Sequence, residues 1–395
     1  MKLENKEKSK ELLLLGIHPF LALPYMFKNL KKRREYQIIT FSLFFAILGY
    51  FFVPPKNYDL YQRFEYYTKY TPSMFMKYND FYLGALTVIG RTLGLKENIL
   101  GFVSAFILYY YLLKIGYETT ARKIKSNKKY VIYMIIYALS VPLVFFNGVR
   151  FPVGYILYVY GIYSYYYKNE RKKAYIYMTL GALAHYSIYL FIFLFLIFEF
   201  IFSKIKDPYI WKGLVLLGFV IGSSPGIMTS IIVGLGNFIN FAIGHEVFSV
   251  TDYVTGDWGT GQYAHMDFIE VSKQIIMLYS FKLVFLLHSL LRKPETSLYK
   301  YTIFLSAVTL LVAPFFTLFE RLSKILIILI LVLNTNESFL EKKVQKTNVI
   351  LSAMIFLFTF VILFEIKEET GIFITSYIAN PIISGFRILA ELIVN

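Results

Sequence analysis

Long apolar runs separated by short polar loops dominate the sequence from residue 36 onward. The runs that suggest spans cover residues 36–53, 99–115, 130–146, 151–167, 212–224, 271–291, 299–317, 322–333 and 349–364. A helix needs about 20 mostly apolar residues to cross a bilayer, and most of these runs approach that length. With a broken pair at 174–202, the pattern predicts an all-α, polytopic integral membrane protein of about ten or eleven transmembrane helices. No repeat of fixed period is visible, so residues 1–395 are expected to form a single transmembrane domain.

Lysine and arginine cluster in the loops at 31–34, 122–129, 168–173, 292–293 and 342–346. Cytoplasmic loops of membrane proteins carry such an excess of positive residues, so these loops are expected on the cytoplasmic side. The alternation then places residues 54–98 outside as the first extracytoplasmic loop and residues 225–270 outside as the long one. Apolar stretches at 81–95 and 226–243 within these loops predict interfacial or re-entrant helices at the outer face.

The N-terminal segment, residues 1–35, differs from the later apolar runs because its apolar part is short. Pro19 and Pro24 are expected to break it, and basic residues flank it on both sides. Such a segment is expected to lie in the plane of the cytoplasmic surface and not to span the membrane.

The stretch 147–202 places ionisable residues where they are costly. Arg150 lies at the edge of an apolar run, and His185 lies inside the next one. Such residues at membrane depth point to a functional site. Because basic residues flank 174–202 on both sides, this stretch must cross the membrane an even number of times. It therefore predicts a tight hairpin or a broken pair of helices with His185 near its outer turn.

The composition supports the assignment to membrane proteins and limits the kinds of binding partner that are expected. Hydrophobic residues make up 57% of the chain and charged residues only 17%, below the roughly 25% of a soluble domain. The net charge of +16 lies in the basic loops, so it reports topology and indicates no nucleic-acid partner. Cysteine is absent, which excludes a disulfide framework and a thiolate metal site.

Two arginines and one histidine are candidates for chemistry, each with a structural alternative. Arg150 and Arg321 both follow outgoing helices and could grip the oxygens of a diphosphate through paired donors, or could reach lipid headgroups at the membrane edge. His185, beside Ser187, could take a proton from a sugar hydroxyl. The alternative, which the residues alone favour slightly, is a buried histidine bonded to a neighbouring helix.

The long loop offers acids, histidines and a tryptophan that suit a carbohydrate acceptor through stacking and hydrogen bonding. The residues are His245, Glu246, Asp252, Asp257, Trp258, His265 and Asp267. For any single one of these residues, a solvated loop position is the favoured interpretation. Their spacing matches no known metal-ligand motif, so no metal is expected.

Short motifs along the chain give it a resemblance to a known family. The motifs are Asp59-Leu60-Tyr61, Leu93-Gly94-Leu95, Arg150 followed by a span and the basic loop 168–173, then His185-Tyr186-Ser187, and finally Arg321. In this arrangement the chain resembles the EpsG/Wzy-type polymerases of bacterial capsule, exopolysaccharide and O-antigen-like polysaccharides. The residues at 151–154 depart from the family pattern, and the long loop has no counterpart.

The resemblance implies a membrane glycosyltransferase in the bacterial cytoplasmic membrane. It would join oligosaccharide repeat units carried on undecaprenyl diphosphate at the outer face, without cofactor or metal. Arg150 and Arg321 would neutralise the diphosphate, and His185 or Asp59 would act as the base. Tyr61, together with Asp257, Trp258 and His265 of the long loop, is expected to bind the acceptor sugar. Besides the bilayer, a flippase and a chain-length regulator are the implied partners.

Two alternatives from other classes stay open at this point. A lipid-linked oligosaccharide flippase or other transporter would commonly show internal repeats and polar residues at mid-membrane. A membrane acyltransferase that modifies polysaccharide would need His185 to be reachable from the cytoplasm. The side that His185 and Arg150 face would distinguish the three.

Overall fold

The computed structural model describes residues 2–52, 54, 56, 59–69, 71, 81–141, 145–224, 226–227, 229–230, 233–234, 237, 256, 268–291 and 295–337. Every regular element in these ranges is helical and none is a strand, which confirms the predicted all-α class. Contacts divide the chain into two compact units, the first reaching Ile192 and the second beginning at Phe193.

The first unit contains ten helices in the described ranges, the last of which continues past its boundary. They are α1 (Lys2–Ile17), α2 (Pro19–Leu30), α3 (Tyr36–Phe51), α4 (Asp59–Lys69), α5 (Phe81–Thr92), α6 (Ile99–Thr120), α7 (Asn127–Leu139), α8 (Arg150–Tyr166), α9 (Arg171–Ala184) and α10 (Ser187–Phe200). A 3₁₀ turn at Phe145–Gly148 leads directly into α8. The second unit holds α11 (Pro208–Gly222), α12 (Phe268–Leu290), α13 (Ser297–Leu311) and α14 (Phe316–Glu337).

Two of the described helical segments, Ile99–Thr120 and Ser187–Lys204, are long and apolar enough to cross a membrane by length and composition. Shorter apolar helices occur at Tyr36–Phe51, Pro208–Gly222, Leu278–Leu290 and Ser297–Leu311. These helices coincide with predicted apolar runs. The predicted total of about ten or eleven spans stays a prediction, because the run at 349–364 lies outside the described residues.

Helix α8 is the centre of the first unit, since every residue from Phe151 to Tyr165 is buried. Helix α6 packs against α8, and α3 packs closely against α6 where Gly49 faces Gly101. A Cβ placed on Gly49 would lie 2.6 Å from the carbonyl oxygen of Gly101. Small residues of this kind let membrane helices approach backbone to backbone.

The basic loops of the first unit meet at one end, which we call the basic end (loops 31–34, 121–129 and 167–173). The Arg33 guanidinium donates to the Ala121 and Lys125 carbonyl oxygens at 2.8 and 2.9 Å. Lys123 lies over the Tyr167 ring, with Nζ 4.8 Å from its centroid. The sequence predicts these three loops on the same side of the membrane, and the structure gathers them.

The N-terminal helices attach to the basic end through polar contacts. Glu7 accepts hydrogen bonds from both Lys32 and Arg34. The helix break falls at His18, and Pro19 opens α2, where its missing N–H costs nothing. Pro24, predicted to be a second breaker, instead lies inside α2. That expectation was wrong, since α2 runs on to Leu30.

One boundary in the second unit also differs from the prediction. Glu320 and Arg321, expected in an outer loop, lie in α14, because the turn comes earlier, at residues 312–315. Pro314 explains the shift, since a proline ends a helix more effectively than a charged pair does. Within this unit, Gly218 and Gly222 of α11 pack against the backbone of α13.

Candidate active site

The predicted break in the stretch 174–202 is present, and His185 lies in it. Helix α9 ends at Ala184, His185 has extended backbone angles (φ −155°, ψ 125°), and α10 begins at Ser187. The chain bends sharply there. As a result, the Ile188 side chain lies 3.5 Å from the Cβ position of Gly181. In a continuous helix these two residues would be about two turns apart.

Two glycines bring this break to the start of α8. A Cβ on Gly154 would lie 2.9 Å from the Gly181 carbonyl oxygen and 3.1 Å from the His185 Cβ. The crossing therefore excludes any side chain at either glycine. Further along, the Tyr158 hydroxyl donates to the Phe191 carbonyl oxygen at 2.9 Å, which holds α10 against α8.

His185 is buried, with 8% of its surface exposed, and its ring caps the start of α10. The Ser187 backbone N–H donates to Nδ1 at 3.1 Å, and the Ser187 hydroxyl lies 2.7 Å from the same nitrogen. A backbone N–H can only donate, so Nδ1 accepts, and the neutral ring carries its proton on Nε2. This contact is of the kind that the structural alternative for His185 predicts. With its proton on Nε2, the ring can act as a hydrogen-bond donor at that nitrogen.

Arg150 is the first residue of α8 and lies close to the break. Phe151, its neighbour, meets the His185 ring edge-on with centroids 5.4 Å apart. The structure thus places the first turn of α8, which Arg150 begins, against the break that contains His185. A cation at a helix N-terminus is unfavourable, whereas an anion there is stabilised by the helix dipole and the unbonded N–H groups. Arg150 and the start of α8 therefore favour the same ligand, an anion.

The residue before Arg150 is strained. Val149 is fully buried and has φ 44°, a region that β-branched residues almost never adopt. Such a conformation costs on the order of 1–3 kcal/mol and persists where the surrounding structure enforces it, often at functional sites. No sequence pattern predicts this strain, because the valine replaces the glycine or asparagine that usually occupies such positions.

Asn147, in the 3₁₀ turn before Arg150, is a further candidate that no sequence motif singles out. It is 6% exposed, and its Oδ1 is buried with no hydrogen-bond partner among the described residues. A buried acceptor without a partner costs about 1–3 kcal/mol, and a hydroxyl donor would satisfy it. In the sequence, the only indication of this candidate is one amide residue at the end of an apolar run.

Asp59 and Tyr61 lie in the first two turns of α4, which packs against the 3₁₀ turn before Arg150. The Asp59 carboxylate accepts a hydrogen bond from Arg63 at 2.6 Å, and Tyr61 is half-buried. Leu60 is fully buried and reaches towards Gly101 at the start of α6. We call this part of the first unit, from α4 through the 3₁₀ turn to Arg150 and His185, the His185 end.

Tyr67 fixes the far end of α4. Its hydroxyl donates to the Leu95 carbonyl oxygen at 2.7 Å. Burial raises the pKa of the Tyr67 phenol above its usual range, so the group stays a donor. The first predicted outer loop is thus largely helical where it is described, with α4 anchored to the turn after α5.

Arg321 belongs to the second unit, whereas Arg150 belongs to the first. It lies in the second turn of α14, next to an ion pair in which Lys324 donates to Glu320 at 2.5 Å. Lys324 is 6% exposed. The candidates Asp257, Trp258 and His265 lie outside the described residues. Within the described ranges, no three His, Asp or Glu side chains form a group that could hold a metal ion.

Comparison with known proteins gives one match. A family model described as the EpsG family matches residues 57–378, a stretch that contains Asp59, Arg150, His185 and Arg321. No curated protein and no solved structure matches the chain.

Proposed function

The chain belongs to the EpsG family, and from this premise we propose that it is a polymerase of lipid-linked repeat units. Family membership supports a polysaccharide polymerase-type activity, and with the apolar helices it indicates a membrane protein that acts on a lipid-linked oligosaccharide. The finer proposal is that the repeat units are carried on undecaprenyl diphosphate. They would be joined at the outer face of the bacterial cytoplasmic membrane, which the chain would cross many times.

One observation carries the proposal: Arg150, at the start of α8, lies beside the helix break that contains His185. In the reaction, an acceptor sugar hydroxyl attacks the anomeric carbon of the donor chain. The bond from that carbon to the diphosphate oxygen breaks, and the diphosphate leaves with the electron pair. The site must therefore stabilise a growing negative charge and remove one proton.

Arg150 is proposed to meet the first requirement. A guanidinium offers paired donors to phosphate oxygens and keeps its charge at any physiological pH. The N-terminus of α8 adds to the same electrostatic effect. Arg321 is proposed as a second arginine for the diphosphate, and its support is the family resemblance and its place near the start of α14.

Asp59 is proposed as the base. It stands at the start of α4, which packs against the 3₁₀ turn that precedes Arg150, and its carboxylate accepts a hydrogen bond from Arg63. His185 remains a candidate base, but Ser187 engages the Nδ1 lone pair that a base would use. The ring geometry supports a different catalytic role, in which Nε2–H donates to an oxygen of the leaving diphosphate.

The acceptor sugar is proposed to bind next to Arg150, Asp59 and His185. Tyr61 and the buried Oδ1 of Asn147 offer hydrogen bonds at the His185 end, and Asp257, Trp258 and His265 would contribute from the long loop. No metal or cofactor is needed if the arginines neutralise the diphosphate. A flippase that supplies repeat units and a chain-length regulator are proposed partners.

The test is the lipid-linked glycan that accumulates in cells lacking this protein. We expect single repeat units on undecaprenyl diphosphate in the outer leaflet, with no polymer, and recovery of polymer when the wild-type chain is restored. Repeat units trapped in the inner leaflet would identify a flippase. Polymer of normal length that lacks acyl groups would identify an acyltransferase, and either result would overturn the proposal.

A further inference from the structure

The basic end of the first unit contains an apolar cavity between α2, α3, α6 and α7. Its volume is about 190 Å³, and its lining is Leu23, Phe27, Leu30, Phe41, Phe44, Phe45, Leu113, Met134, Ile135, Ala138 and Leu139. All the lining side chains are apolar, so a water molecule inside would find no hydrogen-bond partner. An apolar cavity of about 150 Å³ stays dry and takes up hydrocarbon, and this one is larger.

A second pocket adjoins the cavity and shares two lining residues with it, Phe27 and Ile135. The other lining residues include Lys28 and Lys31. Both lysines are exposed, and neither forms an ion pair with any residue that the structure describes. Two acids of α1 near this loop are bound by other residues, Glu7 by Lys32 and Arg34, and Glu11 by Asn29. Two positive charges therefore stand at the mouth of a hydrocarbon-lined space.

The surroundings fit a membrane surface. Helix α2 exposes apolar side chains next to the cavity, with Leu21 57% exposed, and it leads into the basic loop at 31–34. The lining residues of α3 follow one another from Phe41 to Phe45, away from that loop and towards the middle of the helix. The cavity thus runs from the level of the lysines into the apolar layer.

We propose that this groove binds one anionic phospholipid of the adjacent leaflet. Part of an acyl chain would fill the apolar cavity, and the headgroup phosphate would lie between Lys28 and Lys31. Basic pockets between helices on the cytoplasmic side of membrane proteins recognise anionic headgroups in this way. The site lies at the basic end, about 24 Å from Arg150 along the 17-residue helix α8. It is therefore distinct from the proposed active site and does not depend on the polymerase activity.

The experiment uses the purified full chain, mixed in detergent with equal amounts of phosphatidylglycerol and phosphatidylcholine of identical acyl chains. Native mass spectrometry then reads which lipid stays bound. A lysine near an anionic lipid contributes roughly a factor of five in affinity, so two lysines give an expected preference for phosphatidylglycerol of about thirty-fold. Lys28→Gln with Lys31→Gln should bring the preference close to one.

A matched control comes from Lys125→Gln with Lys172→Gln, which removes the same charge from exposed positions of the basic end that line neither pocket. The preference should survive this change. Ala138→Trp, which fills the cavity, should abolish retention of both lipids. The proposal is overturned by an equal loss in both lysine pairs, by no preference in the wild type, or by lipid retained in the Ala138→Trp variant. Displacement of phosphatidylglycerol by undecaprenyl phosphate at equal concentration would also overturn it.

Discussion

Arg33 and Arg150 lie at opposite ends of the first unit, and their surroundings differ. Arg33 donates to two carbonyl oxygens and to the Asn127 side chain, and its guanidinium lies 5.1 Å from the centre of the Tyr130 ring. It ties the basic loop at 31–34 to the α6–α7 loop. Arg150 instead begins a buried helix, follows a strained valine and lies beside the break at His185.

The two arginines represent two uses of positive charge in one membrane protein. Arg33 holds two loops together, and Arg150 is proposed to bind a ligand. At the basic end, Lys32, Arg33 and Arg34 are matched by Glu7 or by carbonyl oxygens of a neighbouring loop, so these charges stabilise the fold. At the His185 end, Asp59 and Arg150 stand at the starts of α4 and α8, where a ligand can approach a helix end. Substitutions at the two ends should therefore fail in different ways.

The largest effect is expected in an experiment that determines which side of the membrane each end of the first unit faces. The chain has no cysteine, so single cysteines can be introduced without background. Lys128→Cys and Lys172→Cys, at the basic end, should resist an impermeant thiol reagent in intact cells. Asn57→Cys and Thr92→Cys, in the first outer loop, should react. Labelling in the reverse pattern would invert the orientation and remove the basis of the outer-face site.

At Arg150, loss of the diphosphate contact should lower polymer formed per inserted protein by about 10²–10³-fold in Arg150→Ala, the effect of removing one oxyanion donor. Arg150→Lys keeps the charge but loses the paired donors, so a strong loss is expected there too. The amount of inserted protein should change little. Unchanged chain length and yield in Arg150→Ala would exclude the clamp at this position. Arg321→Ala is the matching test in the second unit.

For His185, two variants distinguish a base from a donor. His185→Ala removes both roles and should lower specific activity by about 10²-fold. Gln can donate a hydrogen bond and accept one from Ser187, but it cannot take up a proton, so a donor role predicts that His185→Gln keeps most activity. A base role predicts that Gln is as poor as Ala. Wild-type activity in both variants, with less folded protein, would leave His185 a purely structural cap.

Arg33→Gln should show the opposite behaviour to Arg150→Ala. It removes charge-assisted hydrogen bonds at the basic end, so the free energy of unfolding should fall by about 1–3 kcal/mol. Activity per folded molecule should stay at the wild-type value. Thermal unfolding in detergent and polymer yield per inserted protein measure the two quantities. A large drop in specific activity would mean that the two ends are not independent.

The smallest effect is expected at Glu11, which is fully buried and accepts a hydrogen bond from Asn29 at 2.7 Å. Burial raises the pKa of this carboxyl above its usual value of 4.5. Its contribution to stability is therefore present below pH 4.5 and is lost as the pH rises through the raised pKa. Glu11→Gln should melt slightly higher than wild type at pH 7, with a gap that closes on acidification.

Glu7 is the matched control for that measurement. The hydrogen bond from Lys32 lowers the pKa of Glu7, so its stabilisation is present above pH 4.5 and is lost as the pH falls. Glu7→Gln should therefore melt lower than wild type at pH 7. The same sign for both variants would contradict the contacts described for α1.

Much of the first unit follows from the sequence, because span length, basic loops and the even number of crossings limit the arrangements. These features predicted α8, α9, the break at His185 and the meeting of the basic loops. The sequence did not reveal Val149 or Asn147, because backbone strain and an unmatched buried amide arise only from packing. Arg321 was expected in a loop for a different reason, because the prediction placed the loop at the charged pair Glu320-Arg321 and gave no weight to Pro314, two residues before α14.

The contact between Gly154 and Gly181 has a consequence for how this protein could diversify. Two backbones touch there without an intervening side chain, so no rotamer change can adjust their separation. The separation of α8 from the break at His185 is therefore fixed, which would suit the proposed diphosphate, a group that is the same whichever sugar it carries. Differences in which sugars are accepted are then expected to reside in the outer loops, so Trp258→Ala, in the long loop, should alter acceptor choice while the separation of α8 and the break stays constant.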